Sequence, residues 1–330
     1  MTSPDSLPIN SDFQAAWWCR NPHLQTIWPY VMRPRPRPLY RRERLELPDG
    51  DFLDLDWHEL APAGPLTIIL HGLAGCSRSH YVRGLVTALA GYGIRSVVVH
   101  YRGCSGQPNR LDRSYHAGET GDLTTSVETI RRREPSTPLA VVGYSLGGNV
   151  LLKWLGQTPD PPVSAAAAVS VPFLLEQGVT RMEHGWSRLY QWRLVGLLRR
   201  STMAKFSARP SPIDRRALQN LRDLRAFDDR VTAPLHGFRN AAEYYRRCSS
   251  RSFLRGITIP TLVLHALDDP MMTADGVPTA RELSHTIRFE LSARGGHVGF
   301  VGGRWPWRAH YWLERRISEY LSQLLKSQPD

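Results

Sequence analysis

The chain has 330 residues, a formal net charge of +12 and 42% hydrophobic residues; its length can hold one large α/β domain with an insertion or two small domains, and a single domain is the simpler account. Its longest apolar stretch, residues 163–175, is broken by Ser164, Ser170 and Pro172 and is too short to span a bilayer. Cys19, Cys76, Cys104 and Cys248 show no Cys-x-x-Cys spacing, which argues against a disulfide framework and fits a reducing cytoplasm.

In chain order, residues 1–12 are polar and acidic, with neither the basic nor the apolar region of a signal peptide. Residues 13–40 read as an irregular N-terminal arm. Within it Arg33-Pro34-Arg35-Pro36-Arg37-Pro38 excludes a helix, and its charge predicts an exposed polyproline-like strap. Leu45 and Leu47 alternate with Arg44 and Glu46, and Phe52, Leu53, Leu55 and Trp57 follow the turn signal Pro48-Asp49-Gly50-Asp51. That pattern predicts a hairpin forming an antiparallel edge. Strands are then expected at 66–70, 96–101, 139–142 and 165–171, alternating with helices at 81–90, 119–133 and 148–155. An insertion at about 173–255 reads as a helical lid. Strands at 262–265 and 286–291 complete the sheet, and Leu313, Ile317, Tyr320, Leu321 and Leu324 mark a closing amphipathic helix. The expected class is α/β: a mostly parallel central sheet with helices on both faces and a helical lid, in a single domain.

The strongest chemical signal is Gly143-Tyr144-Ser145-Leu146-Gly147, set between a predicted strand and a predicted helix. That context makes it a nucleophile elbow, in which a serine sits on a sharp turn with helix N–H groups aimed at the site. A serine hydroxyl needs a base, and the base an orienting carboxylate. Both follow in the order serine, acid, histidine. Asp268 and Asp269 lie just past the strand at 262–265, and His297 sits in the flexible loop Gly295-Gly296-His297-Val298-Gly299. Asp269 is the preferred acid and Asp268 its alternative or a loop brace. The N–H groups of Leu73, in His71-Gly72-Leu73-Ala74-Gly75, and of Leu146 are the expected oxyanion donors. His71 reads as a structural residue of that loop. His100 ends a strand, His310 is expected on the closing helix, and His116, His236 and His285 lack a strand-end context. Cys104 reads as a small buried hydrophobe, and the loop Arg102–Gly106 as structural rather than anion-binding. Asp112, Glu119 and Asp122 match no metal loop, Glu119 and Thr120 suit helix capping, and no His-Glu-x-x-His motif occurs.

With these residues in view, the chain resembles the YheT-like branch of the α/β-hydrolase superfamily, related to the ABHD-type lipid hydrolases. The resemblance runs through Asn21-Pro22-His23-Leu24-Gln25-Thr26, Arg102-Gly103-Cys104-Ser105-Gly106, Tyr115-His116-Ala117-Gly118-Glu119-Thr120, the elbow, Asp268-Asp269-Pro270 and the His297 loop. It implies a triad of Ser145, Asp269 and His297, with hydrolysis of short- or medium-chain acyl esters, no metal and no organic cofactor. Acyl transfer to an alcohol by the same triad, or a silent binding protein on the same fold, are the rival expectations.

Residues 181–255 hold 17 Lys/Arg against 6 Asp/Glu, nearly all the excess charge. Within them Trp186, Leu189, Tyr190, Leu194, Val195, Leu197 and Leu198 interleave with Arg188, Arg193, Arg199 and Arg200. One reading is a lid helix over an acyl pocket with solvated arginines; the other is peripheral contact with an anionic membrane. No nucleic-acid-binding fold accompanies the charge.

Overall fold

The computed structural model describes residues 7–34, 36–58 and 64–326. Arg35 of the proline-arginine run and the first half of the polar N-terminus therefore lie outside the described residues.

The core is an eight-stranded sheet. Its strands are β1 (Arg41–Glu46), β2 (Phe52–His58), β3 (Leu66–Leu70), β4 (Arg95–His100), β5 (Leu139–Tyr144), β6 (Ala165–Val169), β7 (Thr261–Ala266) and β8 (Ile287–Ser292). They lie in the order β1-β2-β4-β3-β5-β6-β7-β8. The pairs from β4 through β8 are parallel, while β2 runs antiparallel to both β1 and β4. The hairpin thus forms the expected antiparallel edge. Strands β3 to β7 are buried at every position, because helices cover both faces, and this is why they read as continuous apolar runs.

Alternation along each strand splits the core in two. Ile68 and Val141 face the cluster that holds Leu123 and Val127 of α3 (Gly121–Arg133) and Val150 of α4 (Leu146–Gln157). Ile69 and Val142 face the opposite cluster, with Leu85 of α2 (His80–Gly91) and Ile317 of the C-terminal helix Trp312–Lys326. Between β6 and β7 the chain builds a helical layer from α5 (Leu175–Met182), α6 (Arg188–Lys205) and shorter helices, ending with Ala241–Cys248 and the tight turn Arg251–Gly256.

Several expectations are corrected. The arm at 13–40 is not wholly irregular: α1 spans Pro22–Met32, and the Asn21 side chain accepts from the N–H groups of His23 and Leu24. An N-cap asparagine followed by proline in the first turn is a helix-start signal; the downstream Pro-Arg run masked it. Arg33 is not an exposed strap residue, since its guanidinium pairs with the buried Glu314. His310 is not on the closing helix but on a two-residue strand, His310–Tyr311, paired with Val301–Gly302. Helix α3 begins at Gly121 rather than at Glu119, and the Thr120 side chain makes no capping bond. Helix α4 starts at Leu146, two residues earlier than expected, and β6 ends at Val169 rather than at Val171.

Candidate active site

β3 has β4 on one side and β5 on the other, so the loops leaving β3 and β5 diverge at one point of the sheet edge. Crevices of open α/β sheets form at such a point. Ser145 sits there, between β5 and α4, with φ 52° and ψ −117°. That backbone is strained for a residue with a side chain, and it is held because Ser145 N–H donates to Val169 O at 2.8 Å. The flanking glycines are required sterically: a Cβ at Gly147 would lie 2.6 Å from Leu70 O, and one at Gly143 2.4 Å from Gly147 O.

His297 comes from the loop after β8. Its Nε2 lies 3.0 Å from Ser145 Oγ, and its Nδ1 lies 2.8 Å from Asp269 Oδ2. The second oxygen of Asp269 accepts from Met271 N–H at 2.8 Å, so the carboxylate is held at both ends. Asp268 does something else: its Oδ1 accepts from Gly296 N–H at 2.9 Å, bracing the histidine loop. Burial raises the pKa of the Asp268 carboxyl. Sequence reading assigned no role to three further residues that hold this loop. Thr26 Oγ1 accepts from His297 N–H at 2.9 Å, Ser170 Oγ accepts from Val298 N–H at 3.0 Å, and Gln25 Oε1 accepts from Val301 N–H at 2.6 Å. Gln25 is fully buried and also donates to the carbonyls of Cys19 and Val301. The motif Asn21–Thr26 was the available signal; its function is to seat α1 against the His297 loop.

Leu73 and Leu146 both face the cavity in front of Ser145. On either side of Leu73, Gly72 N–H donates to Tyr81 Oη and Ala74 N–H to Tyr115 Oη, each at 2.9 Å. These two bonds stiffen the loop and leave the Leu73 amide as the one between them. Leu146, first residue of α4, has no intrahelical acceptor for its N–H. His71 is structural, as expected: Nδ1 lies 2.8 Å from Gly72 O and Nε2 accepts from Tyr101 N–H. Burial lowers its pKa to about 3, so it stays neutral.

The cavity has a volume of about 370 Å³. Its walls are chiefly apolar, with Leu175 and Val179 of α5 and Leu194, Leu197 and Leu198 of α6 opposite the elbow. Cys104 lines it as well, and burial pushes its thiol up to about 12, which keeps it protonated. Arg102 is 3% exposed and bonded to Asp122, Asp49 and Asp51, so the loop at 102–106 is structural.

Glu119 joins His116 and His236, whose rings line the cavity, with ligand atoms within 4.8 Å of one another. Yet His116 Nδ1 accepts from Gly118 N–H at 3.0 Å, so its proton sits on Nε2, 3.7 Å from Glu119. Burial holds His116 and His236 neutral, at about 2 and about 4, which is the ligating form, but a cation on His116 Nε2 would need its proton moved to Nδ1, where Gly118 N–H already donates. Among the described residues no helix is long and apolar enough to cross a membrane.

Comparison with known proteins accords with this fold. Residues 65–303 match a family described as "alpha/beta hydrolase fold". The chain is 43% identical to the Escherichia coli K12 protein YheT over 313 residues, 93% of this chain and 92% of that one. It is 34% identical to a Saccharomyces cerevisiae monoacylglycerol lipase over 282 residues, 81% and 61% of the two chains. It is 28% identical to Bos taurus phospholipase ABHD3 over 337 residues, 98% and 81% of the two. Among solved structures, the Pyrococcus furiosus esterase Pf2001 superposes with a TM-score of 0.57 at 14% identity, covering 87% of this chain and 91% of that one. At that identity the likeness concerns the fold.

Proposed function

Because the chain belongs to the α/β-hydrolase fold family, we propose that it is a carboxylic-ester hydrolase of the esterase or lipase type, working through an acyl-serine intermediate. The observation that carries this reading is the continuous relay from Ser145 Oγ through His297 to Asp269, with contacts of 3.0 and 2.8 Å. His297 removes the Ser145 proton as the oxygen attacks the ester carbonyl. The N–H groups of Leu146 and Leu73 stabilise the oxyanion, and His297 then protonates the leaving alcohol. Water enters by the same route in reverse, regenerates Ser145 and releases the acid. Asp269 orients the imidazole and stabilises its cation. An acyl ester of short or medium chain suits the apolar walls contributed by α5 and α6, and the helical layer at about 173–255 serves as the lid. Relatives named as a phospholipase and a monoacylglycerol lipase support lipid-derived esters as the substrate class.

Fluorophosphonate labelling of the full chain tests this reading. The wild type is expected to label at neutral pH, and Ser145→Ala to lose all labelling and ester turnover. A wild type that stays unlabelled overturns the enzyme assignment; a mutant that still labels moves the nucleophile to another residue.

A further inference from the structure

Large apolar side chains are exposed in three segments that meet on one side of the molecule. On α1 these include Ile27 and Val31; on and just before α6 they are Trp186 (73% exposed), Leu189 (56%) and Trp192 (70%); in the loop before the C-terminal helix they are Trp305 and Trp307 (76%). The segments are physically joined. His23 Nδ1 lies 3.0 Å from Tyr190 Oη, and the Arg193 guanidinium lies over the Tyr30 ring, tying α1 to α6. Trp18 packs on Trp28 of α1, while the indole N–H groups of Trp17 and Trp18 donate to Arg304 O and Gly303 O, tying α1 to the loop.

The charge of these segments is one-sided. Residues 13–40, 184–213 and 293–313 contain four, six and three Lys/Arg respectively, and no Asp or Glu at all. Arg20, Arg188, Arg193, Arg304 and Arg308 are exposed beside the apolar residues. Helix α6 is two-sided: Leu194, Leu197 and Leu198 line the cavity, and Leu189 and Trp192 point away from it.

We propose that this face docks on an anionic lipid bilayer, with α1, the outer side of α6 and the Trp305–Trp307 loop in the headgroup region. Tryptophans inserted at the interface and arginines against lipid phosphates are what such a surface selects. A second copy of the chain fits less well, because a two-fold contact would set five exposed arginines against one another, with the half-buried Glu183 and Asp223 beside Trp186 and Trp192 as the nearby carboxylates. Docking also has a geometric consequence. Thr26 of α1 holds the His297 backbone, and α6 walls the cavity, so the elements that would touch lipid are those bordering Ser145. Only that last consequence rests on the proposed esterase activity; docking itself does not.

Sedimentation of the full chain with vesicles tests the docking. Phosphatidylcholine vesicles are compared with vesicles containing about one quarter phosphatidylglycerol, for the wild type, Leu189→Ser/Trp192→Ser and Trp307→Ser. The wild type is expected to bind the anionic vesicles roughly ten-fold more tightly than the neutral ones, less so in about 0.5 M salt, where charge is screened. Each variant is expected to bind roughly ten-fold more weakly, with turnover of a water-soluble short-chain ester and the thermal midpoint unchanged. Ser145→Ala is expected to bind like the wild type, which separates docking from catalysis. The proposal is overturned if anionic vesicles are not bound, if both variants bind as tightly as the wild type, or if light scattering finds a dimer that these variants dissociate.

Discussion

At the scale of single residues, two adjacent aspartates divide the labour around one histidine. Asp269 contacts His297 Nδ1 at 2.8 Å, whereas Asp268 accepts from the Gly296 amide. Replacing Asp269 by Asn keeps the shape but removes the charge that fixes the imidazole tautomer, and about 10³- to 10⁴-fold loss of kcat is expected. Asp268→Asn retains an oxygen acceptor for Gly296 and is expected to cost less than about 10-fold. Equal losses in steady-state ester hydrolysis would dissolve the distinction. Ser145 and His297 were legible because each is flagged by local glycines at a predicted strand end. Thr26 and Ser170 were not, since their contacts to the His297 loop span 271 and 128 residues of sequence; the motif Asn21–Thr26 marked its segment without showing what Thr26 would touch.

At the scale of elements, the strands and the helices of the parallel sheet follow from apolar runs and periodicity, with ends that shift by one or two residues. Helix α1 was concealed for a different reason. The arginine-proline run that follows it excludes a helix at 33–38 only, and the Asn21-Pro22 start was the better guide. Helix α4, which carries the elbow at its N-terminus, is anchored at its other end by Gly156. A Cβ there would lie 2.0 Å from Phe253 O in the turn Arg251–Gly256. Since that obstacle is backbone, Gly156→Ala is expected to destabilise the fold by about 2–4 kcal/mol, despite alanine's better helix propensity. Urea unfolding checks this, and a variant as stable as the wild type would mean that the turn can move aside.

For the whole molecule, burial of neutral histidines predicts how stability responds to acid. Burial lowers His71 to about 3, His116 to about 2, and His236 and His265 to about 4. In the unfolded chain these groups titrate near about 6.5. Between that value and about 4 the unfolded state binds more protons, so stability is fully present above about 6.5 and declines as the pH falls, by about 1.4 kcal/mol per pH unit for each such group. Asp228, raised to about 6 by burial, opposes this by binding a proton in the folded state first, and burial raises Glu119, Asp268 and Glu314 in the same direction from a carboxylate range that starts near about 4, below the window in which the four rings lose stability. The urea midpoint is therefore expected to drop between pH 7 and pH 5, and His265→Gln to make the drop shallower. A midpoint independent of pH, or one rising in acid, would contradict the neutral burial of these rings. The sequence by itself determined the fold class, the elbow serine, the candidate base and the two candidate acids, because each is written in local pattern: strand-length apolar runs, glycines at a turn, an order along the chain. Only the tertiary structure decided which aspartate meets His297, that α1 seats its loop, and that three separate apolar, arginine-rich segments form one face. Those are contacts between residues far apart in the chain, and packing in three dimensions, not local propensity, sets them.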